Sequence, residues 1–214
     1  MSVLGTLGKV AMGILVAKGV GKIMGNGSSS SGGLLDGLGG LLGGDPNNNV
    51  TTVGGLGGLL SSLGGNSQDS TRTKNNQDFA TMFNEAIQGK DPKPSVEQEQ
   101  QAKILLYAMV SAAKADGKID PTEQKKILAQ LKHASKEEVE LVRQAVRAPL
   151  NLQGLIDNVP KGMEQQVYLI SLLAIDLDVE AEVRYLKQLA KGLNISREMT
   201  QHIHNKLGAP QLYT

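Results

Sequence analysis

The chain contains no cysteine and no tryptophan, and aromatic residues make up only 3% of it. Without cysteine there is no disulfide, no thiolate nucleophile and no sulfur-ligated zinc or iron–sulfur centre. So few rings leave little on which nucleic-acid bases could stack. Charge of one sign is missing too. The 22 basic and 21 acidic residues leave a formal net charge of +1, so no nucleic-acid partner is expected. There is also no long hydrophobic run near the start. In residues 1–25 the longest uncharged apolar stretch, Val10 to Ala17, lies between Lys9 and Lys18. That is well short of the ~20 residues a membrane-spanning helix needs. No small-residue cleavage site follows it, which argues against a removable signal peptide.

What is present is unevenly spread. Of 26 glycines, 20 lie in residues 1–65, where the only charged residues are Lys9, Lys18, Lys22, Asp36 and Asp45. The composition predicts three regions. Residues 1–25 read as an apolar, Gly-rich helix. Val3, Leu7, Val10, Ile14, Ala17 and Met24 fall at heptad-like spacing, and Gly13, Ala17, Gly21 and Gly25 form a ladder of small residues of the kind that lets helices approach closely in lipid. This segment is expected either to lie at a membrane surface or self-associate, or to be a soluble, frayed stretch. Residues 26–75 carry two Leu-Gly-Gly-Leu-Leu blocks among Ser and Asn runs and are expected to be a disordered linker, because each glycine costs a helix about 1 kcal/mol relative to alanine. Residues 76–214 are expected to fold as a helical domain.

Punctuation in that last region is helical throughout. Helices are predicted from Asp78 to about Gln88, from Ser95 to about Ala115, and from Asp120 to about Lys132. Further ones follow Ser135, span Asn151 to Asn158, Met163 to Ile175 and Val179 to Leu193, and run from Ser196 to about Leu207. Ser95 with Gln98 has the form of a capping box, and Asp120-Pro121-Thr122-Glu123 places Asp, Pro and Glu where a helix start wants them. Ile104–Ala113 and Val167–Ile175 are apolar nearly all round, the pattern of helices buried at the centre of a bundle. No stretch alternates as a strand does. The fold class is therefore all-α, a bundle of about seven to eight helices.

Two of these helices run into acidic turns, Ala115-Asp116-Gly117-Lys118-Ile119-Asp120-Pro121-Thr122-Glu123 and Ile175-Asp176-Leu177-Asp178-Val179-Glu180-Ala181-Glu182, offset by 60 (176 − 116). Each unit is an apolar helix, an acidic turn and an amphipathic helix, so the domain is read as a duplicated helix–turn–helix. Leu105 through Glu123 resembles the first acidic motif of the TerB-like tellurite-resistance fold. Ala174 to Asp178, with Glu182 to Leu186, resembles the second motif in its YebE type, a group of bacterial inner-membrane-associated proteins of unknown function. The resemblance covers roughly residues 95–208. It implies an all-α bundle, divalent-cation binding by the acidic turns, a role in envelope or stress physiology, and no established catalysis. It also implies a bacterial inner-membrane location, on the cytoplasmic side, with a soluble cytoplasmic protein as the alternative. The second turn departs from the pattern, with Leu177 where the first has Gly117.

Function is read from those turns. Asp116, Asp120, Glu123, Asp176, Asp178 and Glu182 are the candidate oxygen ligands for Ca2+, Mg2+ or Mn2+, hard cations that take several carboxylates. The competing account is that acidic groups in a first turn cap orphan N–H donors. Asp116, Asp176 and Asp178 fit that account less well, standing at helix C-termini where the dipole disfavours them. An EF-hand is excluded, since its first and third ligand positions would fall on Ala112 and Lys114. His133, and His202 with His204, lack metal-pair spacing and are expected at the surface, and Ser111 and Ser171 sit in apolar helices without an adjacent base. The expectation is a non-enzymatic, membrane-associated helical module with an interaction or metal-sensing role. Its expected partners are a membrane surface through residues 1–25, a second copy, or a protein. A metal-dependent hydrolase using the acidic turns is the alternative from another class, and a small-molecule-binding bundle a third.

Overall fold

The computed structural model describes residues 2–17, 55–63, 70–117, 119, 121–129, 131, 134–175 and 177–213. Among them are ten α-helices and no strand. They are α1 (Val3–Ala17), α2 (Gly55–Leu63), α3 (Ser70–Ile87), α4 (Val96–Ala112) and α5 (Pro121–Ala129), followed by α6 (Lys136–Arg147), α7 (Leu152–Asp157), α8 (Glu164–Leu173), α9 (Glu180–Gly192) and α10 (Arg197–Leu207). The fold is all-α, as the periodicity requires.

Side-chain capping sets several boundaries. Ser95 accepts from the Gln98 N–H while Gln98 returns a bond to the Ser95 N–H, and Ser135 and Glu138 repeat the arrangement at α6. Ser196 caps α10, which ends at Gly208 in the left-handed conformation. The first two of these boxes orient α4 and α6, the helices that later frame a cleft.

The two apolar helices of the duplication pack on each other at the centre. On α8, every residue from Gln166 to Leu172 is buried. On α4, Leu105, Leu106, Ala108, Met109, Val110 and Ala112 are buried, but Tyr107 is exposed. One stripe of α4 is therefore left uncovered.

Residues 2–17 differ from expectation. Helix α1 packs on α3, α4 and α5, and Leu4, Leu7, Val10, Ala11 and Ile14 belong to the same core as the rest of the bundle. Polar bonds fix it there. Glu99 of α4 accepts from the Val3 N–H at 2.7 Å, and the Thr6 hydroxyl donates to Glu138 at 2.9 Å. Glu99 thus satisfies one of the four orphan donors at the start of α1, although burial raises its pKa against the bonds from Val3 and Leu4. The apolar stripe assigned to a membrane or a second copy is turned onto α3, α4 and α5. What the chain does from residue 18 to 54 lies outside the described residues, including the Gly21 and Gly25 rungs.

Part of the expected linker is also helical. Helix α2 packs on α3 and α8 and buries Leu60 and Leu63. Asn84 of α3 accepts from the Gly57 N–H at 2.9 Å, and Gln166 of α8 donates to the Leu60 carbonyl at 2.7 Å. Propensity is overridden by proximity. A Cβ at Gly57 would stand 2.1 Å from the Ala80 carbonyl oxygen, and one at Gly8 would stand 2.7 Å from Ala86. Gly57, one of the glycines that argued for a linker, and Gly8 are places where the backbones of α2 and α1 meet α3.

Candidate functional site

The two acidic turns share a backbone feature. Gly117 has φ +132° and Leu177, 60 residues later, has φ +58°. The positive φ persists although the second turn has lost its glycine, and Leu177 packs against the core. The candidate carboxylates are not assembled by what is described. Asp116 and Asp178 are exposed. Glu182 is buried, with its carboxylate 3.3 Å from the Asp178 N–H as acceptor, so it ties the turn to the start of α9. Asp120 and Asp176 lie outside the described residues, as does the side chain of Glu123. Among the described residues no group of three or more His, Asp or Glu side chains is gathered as metal ligands would be.

A concavity lies elsewhere among the described residues. A cleft of about 420 Å³ opens between α4, the α6–α7 connection and α7, inside the volume range of small-molecule sites. One wall is the stripe of Lys103, Ile104, Tyr107 and Ser111 on α4, spaced as one helical face and continued by Lys114 in the turn after the helix. Across from it stand Ala145, Ala148, Pro149, Leu150 and Leu155. Leu150 is 45% exposed and Tyr107 37%, both large apolar surfaces at the mouth. No acidic residue is found among the described lining residues.

Lys114 gives the cleft its polarity. It is only 6% exposed, and its ammonium donates to the carbonyls of Ala145 and, at 2.7 Å, Ala148. Those carbonyls end α6, where a cation complements the helix dipole. Burial lowers the Lys114 pKa, while two carbonyl acceptors at a helix C-terminus bond an ammonium more strongly than a neutral amine. An ammonium has three donors. Two are used.

A polar knot lies beside this wall. Ser111 of α4 and Ser171 of α8, again 60 residues apart, flank the hydroxyl of Tyr185 on α9. Burial pushes the Tyr185 phenol up to about 12, with both serines near enough to draw it partly back. None of the three hydroxyls has a well-formed hydrogen-bond partner. A second buried pair is fully satisfied: the Tyr168 hydroxyl meets His204 Nε2 at 2.8 Å, and His204 Nδ1 bonds the Pro210 carbonyl. His204, expected at the surface, is wholly buried, because α10 turns that face onto α8. His202 is exposed, and His133 lies outside the described residues.

The cleft escaped the sequence reading, though a signal existed. An all-round apolar helix needs cover on every side, and Lys103 on α4 and Lys114 in the turn after it stand at the two ends of one face. The matching face on α8 buries Met163, Val167, Ser171 and Ala174.

A family model described as a protein of unknown function, DUF533, matches residues 24–207. An uncharacterized protein in the ampR 5' region of Yersinia enterocolitica is 30% identical over 112 residues, which is 51% of this chain and 81% of that protein. No solved structure matches.

Proposed function

From the premise that the chain belongs to the DUF533 family of proteins of unknown function, we propose that it is a non-catalytic helical module that works by binding, through the cleft beside α4. The carrying observation is that cleft: apolar walls, two lysines, and one face of a central core helix left open to it. Support for binding rather than turnover comes from the polar groups nearby. Lys114 is held as a donor by two carbonyls, and His204 is tied off between Tyr168 and Pro210. The test is a neutral solvatochromic dye, Nile red. Saturable one-to-one binding that Ile104→Trp abolishes is the expected result, since a Trp ring would fill the cleft. Non-saturable binding, or binding that Ile104→Trp leaves unchanged, overturns the reading.

The likeness of the acidic turns to the TerB-like fold we carry forward as a proposal, supported by the paired positive φ at Gly117 and Leu177. With it goes a weak divalent-cation site on the exposed Asp116 and Asp178 and their neighbours. A cation binding only the native state raises the melting midpoint by mass action. A shift in millimolar Ca2+, Mg2+ or Mn2+ that Asp116→Asn removes supports the site, and an unmoved midpoint overturns it. Association with a membrane remains a proposal for the chain beyond α1. No helix among the described residues is long and apolar enough to cross a membrane.

A further inference from the structure

We propose that the cleft takes a single-chain amphiphile with a carboxylate head, its head at Lys114 and its apolar body running out along Ile104, Tyr107 and Leu150. This rests on the reading of the cleft as a binding site and adds the class of ligand.

The head-group assignment comes from an unspent donor. Lys114 uses two of its three N–H bonds on Ala145 and Ala148, and it lines the cleft. The remaining N⁺–H suits a group that only accepts, and charge-assisted bonds of this kind are about twice as strong as neutral ones. Polarity of the surroundings points the same way. The charged groups on the described lining are Lys103 and Lys114, both cationic, and the adjoining hollow that shares Lys114, Ala148, Pro149 and Leu150 adds Arg147. A cationic ligand would meet like charge with no carboxylate to receive it.

The body follows from the walls. From Lys103 to Ser111 the stripe runs along α4 for about 12 Å at 1.5 Å per residue, and Lys114 follows in the turn after it. Its middle is Ile104 and Tyr107 on one side and Leu150 and Leu155 on the other. An elongated apolar chain fits that trough, whereas a compact polar metabolite would leave the walls wet. The open face on α4 also accounts for Tyr107 and Leu150, two of the four large apolar side chains exposed among the described residues.

The experiment uses the full chain with Nile red in the cleft, displaced by dodecanoate, dodecyltrimethylammonium or acetate, all below micelle formation. Dodecanoate should displace the dye at a concentration at least tenfold lower than the cationic amphiphile, and acetate should not displace it. Lys114→Met should reduce that preference to threefold or less while dye binding persists. Should Lys114→Met lose its helical circular dichroism, Lys103→Glu, on the exposed rim, should do the same. Equal displacement by both amphiphiles, or a preference unchanged in a folded variant, overturns the carboxylate assignment alone. Absence of saturable dye binding overturns the cleft itself.

Discussion

Pro210 decides which nitrogen of His204 carries the proton. A carbonyl can only accept, so Nδ1 must be the N–H, Nε2 is left as acceptor, and the Tyr168 hydroxyl donates to it. This neutral tautomer satisfies every polar atom of the pair inside an apolar core. Burial keeps the His204 pKa below the ordinary imidazole value, outweighing the bond to Pro210, which favours the charged form. The consequence for stability has a definite sign. An unfolded imidazole takes its proton near pH 6.5, while the native one resists until lower pH, so the unfolded chain binds more protons in between. The contribution of His204 is fully present above about pH 6.5 and is lost as pH falls from there through the native pKa. Denaturant midpoints measured from pH 7.5 to 5 should fall over that window in the wild type. In His204→Gln, which can still bond Tyr168, the decline should flatten. A midpoint just as pH-sensitive in the variant would show that other groups govern the window.

At the level of helices, two glycines do what their frequency disguised. Gly57 and Gly8 stand where α2 and α1 touch the backbone of α3, and a methyl group at either would overlap Ala80 or Ala86. Overpacking of this kind costs about 1–3 kcal/mol. Gly57→Ala and Gly8→Ala should therefore each lower stability by about that much in chemical denaturation, even though alanine is the better helix former by about 1 kcal/mol. A stabilised variant would mean that α2 or α1 is not seated on α3. The same positions show why the helical region was legible and its N-terminal partners were not. Ser95, Ser135 and Ser196 announce helix starts by local chemistry, and the structure has helices beginning directly after each. Gly57 carries no such local signal, because its role depends on Ala80, 23 residues away. For the candidate site the balance is similar. The paired turns were legible as a repeat, but the positive φ of Leu177 was not, because the glycine that marks it in the first turn at Gly117 is absent from the second. The cleft was not, since it exists only where α6 and α7 fail to cover the stripe from Lys103 to Lys114.

For the whole molecule, the decisive arrangement is that α1 completes the bundle instead of standing apart from it. Leu4, Leu7, Val10 and Ile14 are all but inaccessible to solvent, and they face α3, α4 and α5. Burying each such side chain is worth about 1.5–3 kcal/mol, a total comparable with the 5–15 kcal/mol net stability of a typical domain. Glu99 and Glu138 then fix the helix in register through Val3 and Thr6. If α1 were only an anchor beside an independent domain, its loss would leave the remainder as stable as before and just as soluble. Seated as it is, its removal must uncover the faces of three core helices at once. A chain lacking residues 2–17 should melt on the order of 10 °C or more below the intact protein, since each kcal/mol moves the midpoint of a chain this size by about 2–4 °C. It should also bind a hydrophobic dye at a new site that Ile104→Trp does not remove. The point substitution Leu7→Ala gives the same test without shortening the chain, with a cavity cost of about 2–5 kcal/mol. An unchanged melting midpoint in both variants would return α1 to the role of a separate segment and leave residues 76–214 to fold alone.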